Sequence, residues 1–246
     1  MGECDTCSPG MPLALAAGEA HIWFDPGVEK GLDIEEPGRI ISAAERLEAQ
    51  QFLFERDAER YRSSHALLRK VLSYYLGETP EELIFVAGPN GKPALGTSFG
   101  RVGVCFNMSH SGDAVLIAVT RGSEVGVDLE KIRDMRGMQD VIRFFYTAAE
   151  KNYLTCCATK AQKSKAFFQI WTRKEAVVKA QAGKLAADIG AVDVPGDGCR
   201  KTIKSSSRFW CLHDLEIEHG RAAAVCIAGR RCRVSHRSLQ ELKPAN

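Results

Sequence analysis

Val125-Gly126-Val127-Asp128-Leu129-Glu130 is the stretch on which the fold turns. Its apolar and acidic residues alternate, so in an extended strand Val127 and Leu129 face one side while Asp128 and Glu130 face the other. Two carboxylates on one face suit a hard cation such as Mg2+, which takes one or two of them and fills its shell with phosphate oxygens and water. An ordinary half-buried strand with a solvated acidic face carries the same alternation, and the stretch by itself does not separate the two.

Working outward, Val102 to Phe106 and Ala114 to Thr120 read as strands, with Ser109-His110-Ser111-Gly112 as a polar turn between them. Side chains at such a rim are often functional. Neighbours on an extended segment point to opposite faces, and no Gly-x-Ser-x-Gly turn is present, so Ser109 and His110 do not read as a nucleophile and its base. Downstream, Phe167-Phe168-Gln169-Ile170-Trp171 runs into Lys174-Glu175-Ala176-Val177-Val178-Lys179 without Gly or Pro and predicts one helix over 163–181. Four residues apart, Glu175 and Lys179 share a face; a plain surface ion pair fits that spacing equally well. A helix over 58–76 precedes the first strands, and strands near 209–212 and 222–228 follow the second helix. Helix then strands, twice over, predicts an α+β chain of two similar α/β subdomains. The expected partition is a tail over 1–18, an N-terminal subdomain over 19–122 and a C-terminal one over 123–246.

Three segments, Phe106-Asn107-Met108-Ser109-His110-Ser111, Gly126-Val127-Asp128-Leu129-Glu130 and Trp171 to Lys179, occur in that order. Asp57-Ala58-Glu59-Arg60 and Gly91-Lys92-Pro93 precede them, and Phe145-Tyr146-Thr147-Ala148-Ala149-Glu150 lies between the second and third. Over about Ser42 to Val194 the chain resembles the phosphopantetheinyl transferases of the surfactin-synthetase-activating type. The resemblance implies a pseudo-twofold pair of subdomains with the active site in the cleft between them. It also implies transfer of 4'-phosphopantetheine from coenzyme A to a serine of an apo acyl or peptidyl carrier protein, with Mg2+ as cofactor. By the same resemblance Asp128, Glu130 and Glu175 surround the metal, and Arg60 and His110, beside Ser109, meet the 3'-phosphate. Gly91, Lys92 and Pro93 meet the nucleotide end, and Lys179 faces the diphosphate. Glu175 is the first candidate for the base, with Lys179 and Asp128 as its catalytic companions and Glu150 as the second candidate.

The chain departs from the family pattern in three places, one of them an extra residue near Phe144-Phe145-Tyr146. Glu45 and Glu48 stand where some members carry lysines, and Lys179-Ala180-Gln181-Ala182-Gly183 keeps one glycine of a pair. Two rival classes use the same residues: a Mg2+-dependent phosphodiesterase or nucleotidyl transferase, and a non-catalytic coenzyme A-binding module.

A net charge of +2 over 246 residues gives no reason to expect a nucleic-acid partner. No apolar run approaches the roughly 18 residues of a membrane span, so a cytoplasmic location is expected, and a monomer because one chain already contains both halves. Arg136, Arg143, Lys151, Lys160, Lys163 and Lys165 form a basic stretch that fits either an acidic carrier protein or a solvated helix face. Nine scattered cysteines, with Cys4-x-x-Cys7 lacking a second pair, predict neither a metal cage nor a disulfide framework.

Overall fold

The computed structural model describes residues 14–27, 36–97, 103–197, 200–218 and 220–242. In chain order the strands are β1 (Glu19–Asp25), β2 (Phe85–Ala87), β3 (Pro93–Leu95), β4 (Val104–Ser111), β5 (Ala114–Arg121), β6 (Val125–Lys131), β7 (Arg200–Ser205), β8 (Arg208–Asp214), β9 (Arg221–Ala228) and β10 (Arg233–Arg237). The helices are α1 (Pro37–Ile40), α2 (Ala43–Ala49), α3 (Glu55–Leu76), α4 (Met138–Phe145), α5 (Ala148–Thr155), α6 (Lys160–Ala180) and α7 (Leu185–Asp188).

Two four-stranded sheets, ordered β10-β1-β5-β4 and β6-β9-β8-β7, each carry one long helix, and β2 and β3 form a small hairpin apart. On α3, Leu67, Leu68, Val71 and Leu72 recur at helical spacing and pack on Trp23, Phe106 and Ile117 of the first sheet. On α6, Phe167, Phe168, Val177 and Val178 pack on Trp210, Leu212 and Ala224 of the second. The opposite faces of the sheets meet through Ile22, Leu116 and Ala118 on one side and Val127, Leu129, Val225 and Ile227 on the other. The layers therefore run helix, sheet, sheet, helix, and every layer boundary is apolar. Both long helices stop at a left-handed residue, Gly77 at φ 71° after α3 and Ala182 at φ 50° after α6.

The two sheets are joined along β4 and β6 by side chains instead of a backbone ladder. Asn107 Oδ1 accepts the Val127 N–H at 2.8 Å, Ser109 Oγ the Leu129 N–H at 3.3 Å, and Ser111 Oγ the Lys131 N–H at 3.0 Å. Alternation along β4 supplies an acceptor every second residue, matching the amides that β6 turns away from β9. On its other face β6 is pressed against α6. A Cβ on Gly126 would lie 2.2 Å from the Ala176 carbonyl oxygen and 2.3 Å from the Ala180 nitrogen, so only glycine lets the helix come this close.

Two expectations from sequence are corrected. The Ser109-His110-Ser111 stretch is strand, not turn: β4 runs through Ser111, and Gly112-Asp113 make the reversal. Its two serines are paired to β6 amides, partners that no local pattern reveals. The second correction concerns β10, which was not anticipated and pairs in parallel with β1, Glu19 opposite Arg233 through Trp23 opposite Arg237. A strand from beyond residue 123 thus completes the first sheet. Of the expected tail, residues 1–13 lie outside the described residues, and Leu15 is buried in the core under α3. No helix among the described residues is long and apolar enough to cross a membrane.

Candidate active site

Asp128, on the α6 face of β6, is buried, and its two oxygens have different surroundings. Oδ1 accepts from Ser109 Oγ at 2.8 Å and from Lys179 Nζ at 2.6 Å. Oδ2 is buried with no hydrogen-bond partner. A buried anionic oxygen without a donor is costly, so the geometry is suited to a cation at that point.

Glu175 approaches from α6, four residues before Lys179, whose Nζ lies 3.5 Å from Glu175 Oε2. Burial pushes the Glu175 carboxyl up, and Asp128 and Glu130 add to the effect, so that against the pull of Lys179 it reaches about 8. Lys179 stays charged: Asp128 and Glu175 together outweigh the burial that works against its ammonium form and raise it above its ordinary value. Glu130, two residues along the same face of β6, is held by Ser111 Oγ at 3.1 Å and by Arg133 at 3.3 Å. Asp128 and Glu175 act on one another's protonation, and Glu130, further along the same face, is turned to Ser111 and Arg133; carboxylate oxygens of this kind are the donors that hard cations take.

Arg60 and His110 stand beside this cluster on the α3 side of β4. They line a cavity of about 520 Å³ together with Tyr61, His65 and Asp113. Arg60 reaches Asp113 Oδ1 at 2.5 Å and Asp57 Oδ1 at 3.0 Å. Partial enclosure and the neighbouring Lys179, His65 and Arg60 hold His110 below its ordinary value, partly offset by Asp128. His65 and Tyr61 stack with ring centroids 3.9 Å apart, and Phe52 closes on Tyr61 at 5.5 Å. The sequence reading passed over this aromatic and imidazole wall; the signal available was the helical spacing of Asp57, Arg60, Tyr61 and His65 on one face of α3.

The acidic replacements Glu45 and Glu48 are accounted for by packing. Glu45 closes a capping box with Ser42 and accepts from Arg69 at 2.9 Å and His65 at 3.0 Å. Burial raises its carboxyl, but the hydrogen bonds from His65, Ser42 and Arg69 prevail and hold it at about 2. Glu48 accepts from the Tyr61 hydroxyl at 2.8 Å. Both residues brace α2 on α3.

Other candidates turn away from the cluster. Lys92 Nζ donates to the carbonyls of Val125 at 2.7 Å and Lys179 at 2.8 Å, so its charge ties the hairpin loop to β6 and α6. Gly91 and Pro93 flank it on the exposed side of that loop, where Asn90 reaches the Ala182 carbonyl at 2.7 Å. Glu150, the second candidate base, is fully buried. It pairs with Lys174 Nζ at 2.9 and 3.0 Å, closes the Thr147 capping box and accepts the Val194 N–H at 3.0 Å. A carboxylate so enclosed has no route to a substrate proton.

A family model described as the 4'-phosphopantetheinyl transferase superfamily matches residues 124–226, and one described as the N-terminal part of a 4'-phosphopantetheinyl transferase matches residues 33–122. The 4'-phosphopantetheinyl transferase HetI of a Nostoc species is 30% identical over 217 residues, 88% of this chain and 91% of that protein. The 4'-phosphopantetheinyl transferase psf-1 of Bacillus pumilus is 33% identical over 149 residues, 59% of this chain and 60% of that protein. The L-aminoadipate-semialdehyde dehydrogenase-phosphopantetheinyl transferase of Xenopus laevis is 29% identical over 150 residues, 58% of this chain and 49% of that protein.

Proposed function

The chain belongs to the 4'-phosphopantetheinyl transferase superfamily, in its two-domain form, and from that premise we propose that it moves 4'-phosphopantetheine from coenzyme A to a serine of an apo carrier protein. The serine oxygen bonds to the phosphorus that bears the pantetheine, the bond from that phosphorus to the bridging oxygen breaks, and 3',5'-ADP leaves. The observation that carries the residue assignment is the buried Asp128 carboxylate next to Glu175, with Oδ1 on Lys179 and Oδ2 without a donor.

Asp128, Glu130 and Glu175 would hold Mg2+, which when bound supplies Lewis-acid stabilisation of the diphosphate. Lys179, kept cationic, pairs with a diphosphate oxygen and offsets charge on the departing 3',5'-ADP. Arg60 and His110, with His65 beside them, offer donors to the 3'-phosphate in the adjoining cavity. Glu175 is the base: its carboxyl stands beside Asp128 and Lys179, and a cation held there would keep it ionised, the form that accepts the serine proton. Lys92 and Ser109 position the others, Lys92 through the carbonyls of β6 and α6 and Ser109 through Asp128 Oδ1.

The carrier docks on the groove of about 890 Å³ between the β6–α4 loop and the start of α6, where Ile132, Met135 and Met138 lie beside Lys160 and Lys163. The apolar floor suits a partner's apolar contact, and Lys163 on the rim, beside the Lys160–Asp134 pair at 2.7 Å, offers a cation to a carboxylate of that partner.

The test is to incubate the protein with coenzyme A, Mg2+ and apo carrier proteins and follow the carrier by intact mass. A phosphopantetheine-sized gain that requires Mg2+ and is lost in Glu175→Ala and Asp128→Ala is expected. Coenzyme A cleavage without a carrier would favour the phosphodiesterase, and tight coenzyme A binding without any transfer the non-catalytic module.

A further inference from the structure

On the face of the second sheet opposite Asp128, in the apolar layer between the sheets, Cys211, His213 and Cys232 converge. Cys211 and His213 are alternate residues of β8 and point to the same face; Cys232 lies in the turn between β9 and β10. All three are buried, and their ligand atoms fall within 4.8 Å of one another. His213 Nε2 is 3.0 Å from Cys232 Sγ, and the Cys211 thiol donates to the Gly229 carbonyl at 3.5 Å.

We propose that Cys211 Sγ, His213 Nε2 and Cys232 Sγ bind one Zn2+, as a structural clasp. Zinc takes thiolate at about 2.3 Å and imidazole at about 2.0–2.1 Å in tetrahedral geometry, which places ligand atoms about 3.3–3.8 Å apart. The three atoms need only small rotamer adjustments to reach that spacing. Charge fits as well: two thiolates, one neutral imidazole and Zn2+ sum to zero, so the complex can sit in an apolar layer without an unpaired charge.

A cleft of about 260 Å³ opens onto the group, and Lys201, Arg230 and Arg231 line it. Thr202 Oγ1 donates to the Arg230 carbonyl at 2.9 Å and the Arg230 guanidinium lies 3.8 Å from the centre of the Phe209 ring, so this cationic edge is held in place. The cleft leaves the fourth coordination position to water.

The location gives the metal its purpose. Residues 229–232 carry the chain from β9 in the second sheet to β10 in the first. Fixing Cys232 to β8 fixes the point where the chain crosses between halves.

Zinc content of the full chain, grown in zinc-supplemented medium and purified under a thiol-free reductant without chelator, tests this. One zinc per chain is expected, retained in Asp128→Ala and lost in Cys232→Ser and His213→Ala. As those variants could fold poorly, the wild-type protein is also stripped and titrated with Co2+, where a thiolate-to-cobalt charge-transfer band at one equivalent is expected, with a Tm raised by metal. Substoichiometric zinc with no such band, zinc that persists in both ligand variants, or a Cys211–Cys232 disulfide in the purified protein would overturn the assignment. None of these readouts depends on transferase activity.

Discussion

Ser109 holds Asp128 in place from the neighbouring sheet: its hydroxyl donates to Asp128 Oδ1 at 2.8 Å while accepting the Leu129 N–H at 3.3 Å. One hydroxyl thus serves the seam and the site together. Ser109→Ala removes these bonds, with the one its Oγ accepts from Lys179 Nζ at 3.2 Å, and leaves a buried amide unsatisfied, a cost of about 1–3 kcal/mol. Urea unfolding should show that loss, and the Mg2+ concentration for half-maximal transfer should rise as Asp128 loosens. An unchanged Mg2+ titration would mean that Lys179 alone orients the carboxylate.

Glu175 makes metal-free stability depend on pH. Its folded-state value of about 8 lies above the ordinary 4.5 of an unfolded chain. Between those values the unfolded chain releases the proton and the folded chain keeps it, so this contribution is full below about 4.5 and is lost as pH rises through 8. Glu175→Gln removes it. In EDTA, the variant's stability relative to wild type should grow from pH 5 to pH 8, by an amount on the order of a few kcal/mol. Parallel unfolding curves across that range would contradict the raised carboxyl.

Glu150→Ala separates scaffold from chemistry. It leaves Lys174 buried without its carboxylate, alongside the Val192 carbonyl to which Lys174 also donates, and breaks the Thr147 cap. Breaking such a pair costs about 3–5 kcal/mol. Thermal unfolding should register that loss, while kcat measured well below the variant's Tm should stay within a few-fold of wild type. A collapse of kcat in folded protein would restore Glu150 as the base.

Ala182→Gly should stabilise. Gly183 N–H bonds the Val178 carbonyl at 2.9 Å and Ala182 N–H the Lys179 carbonyl at 3.2 Å, the paired closure of a helix end that favours glycine at the left-handed position. Alanine stands there at φ 50°. Relief of that conformation is worth about 1 kcal/mol, a rise in Tm of about 2–4 °C for a chain of this size. Differential scanning calorimetry decides it.

The parts legible in the sequence were those with local periodicity. The apolar spacing of α3 and α6 announced both helices, and the alternation in β6 placed Asp128 and Glu130 on one face, where the structure has them. Other features depended on partners distant in the chain. The polar strand residues Ser109 and Ser111 read as a turn, and Asn107 drew no role, because their partners are amides some 20 residues on. Lys92 was expected at the nucleotide end, and nothing local shows the carbonyls it meets. Cys211, His213 and Cys232 passed unremarked because a ligand set split between a strand and a distant turn has no short spacing.

The return of β10 to the first sheet has a consequence for biosynthesis. While the chain emerges from the ribosome, β1 can pair with β5, but its other edge stays bare until residues 233–237 have been made. The first half is therefore exposed to edge-to-edge association throughout synthesis of the second. Its completion waits on nearly the whole chain, so truncation ahead of Arg233 would damage the half that was translated first.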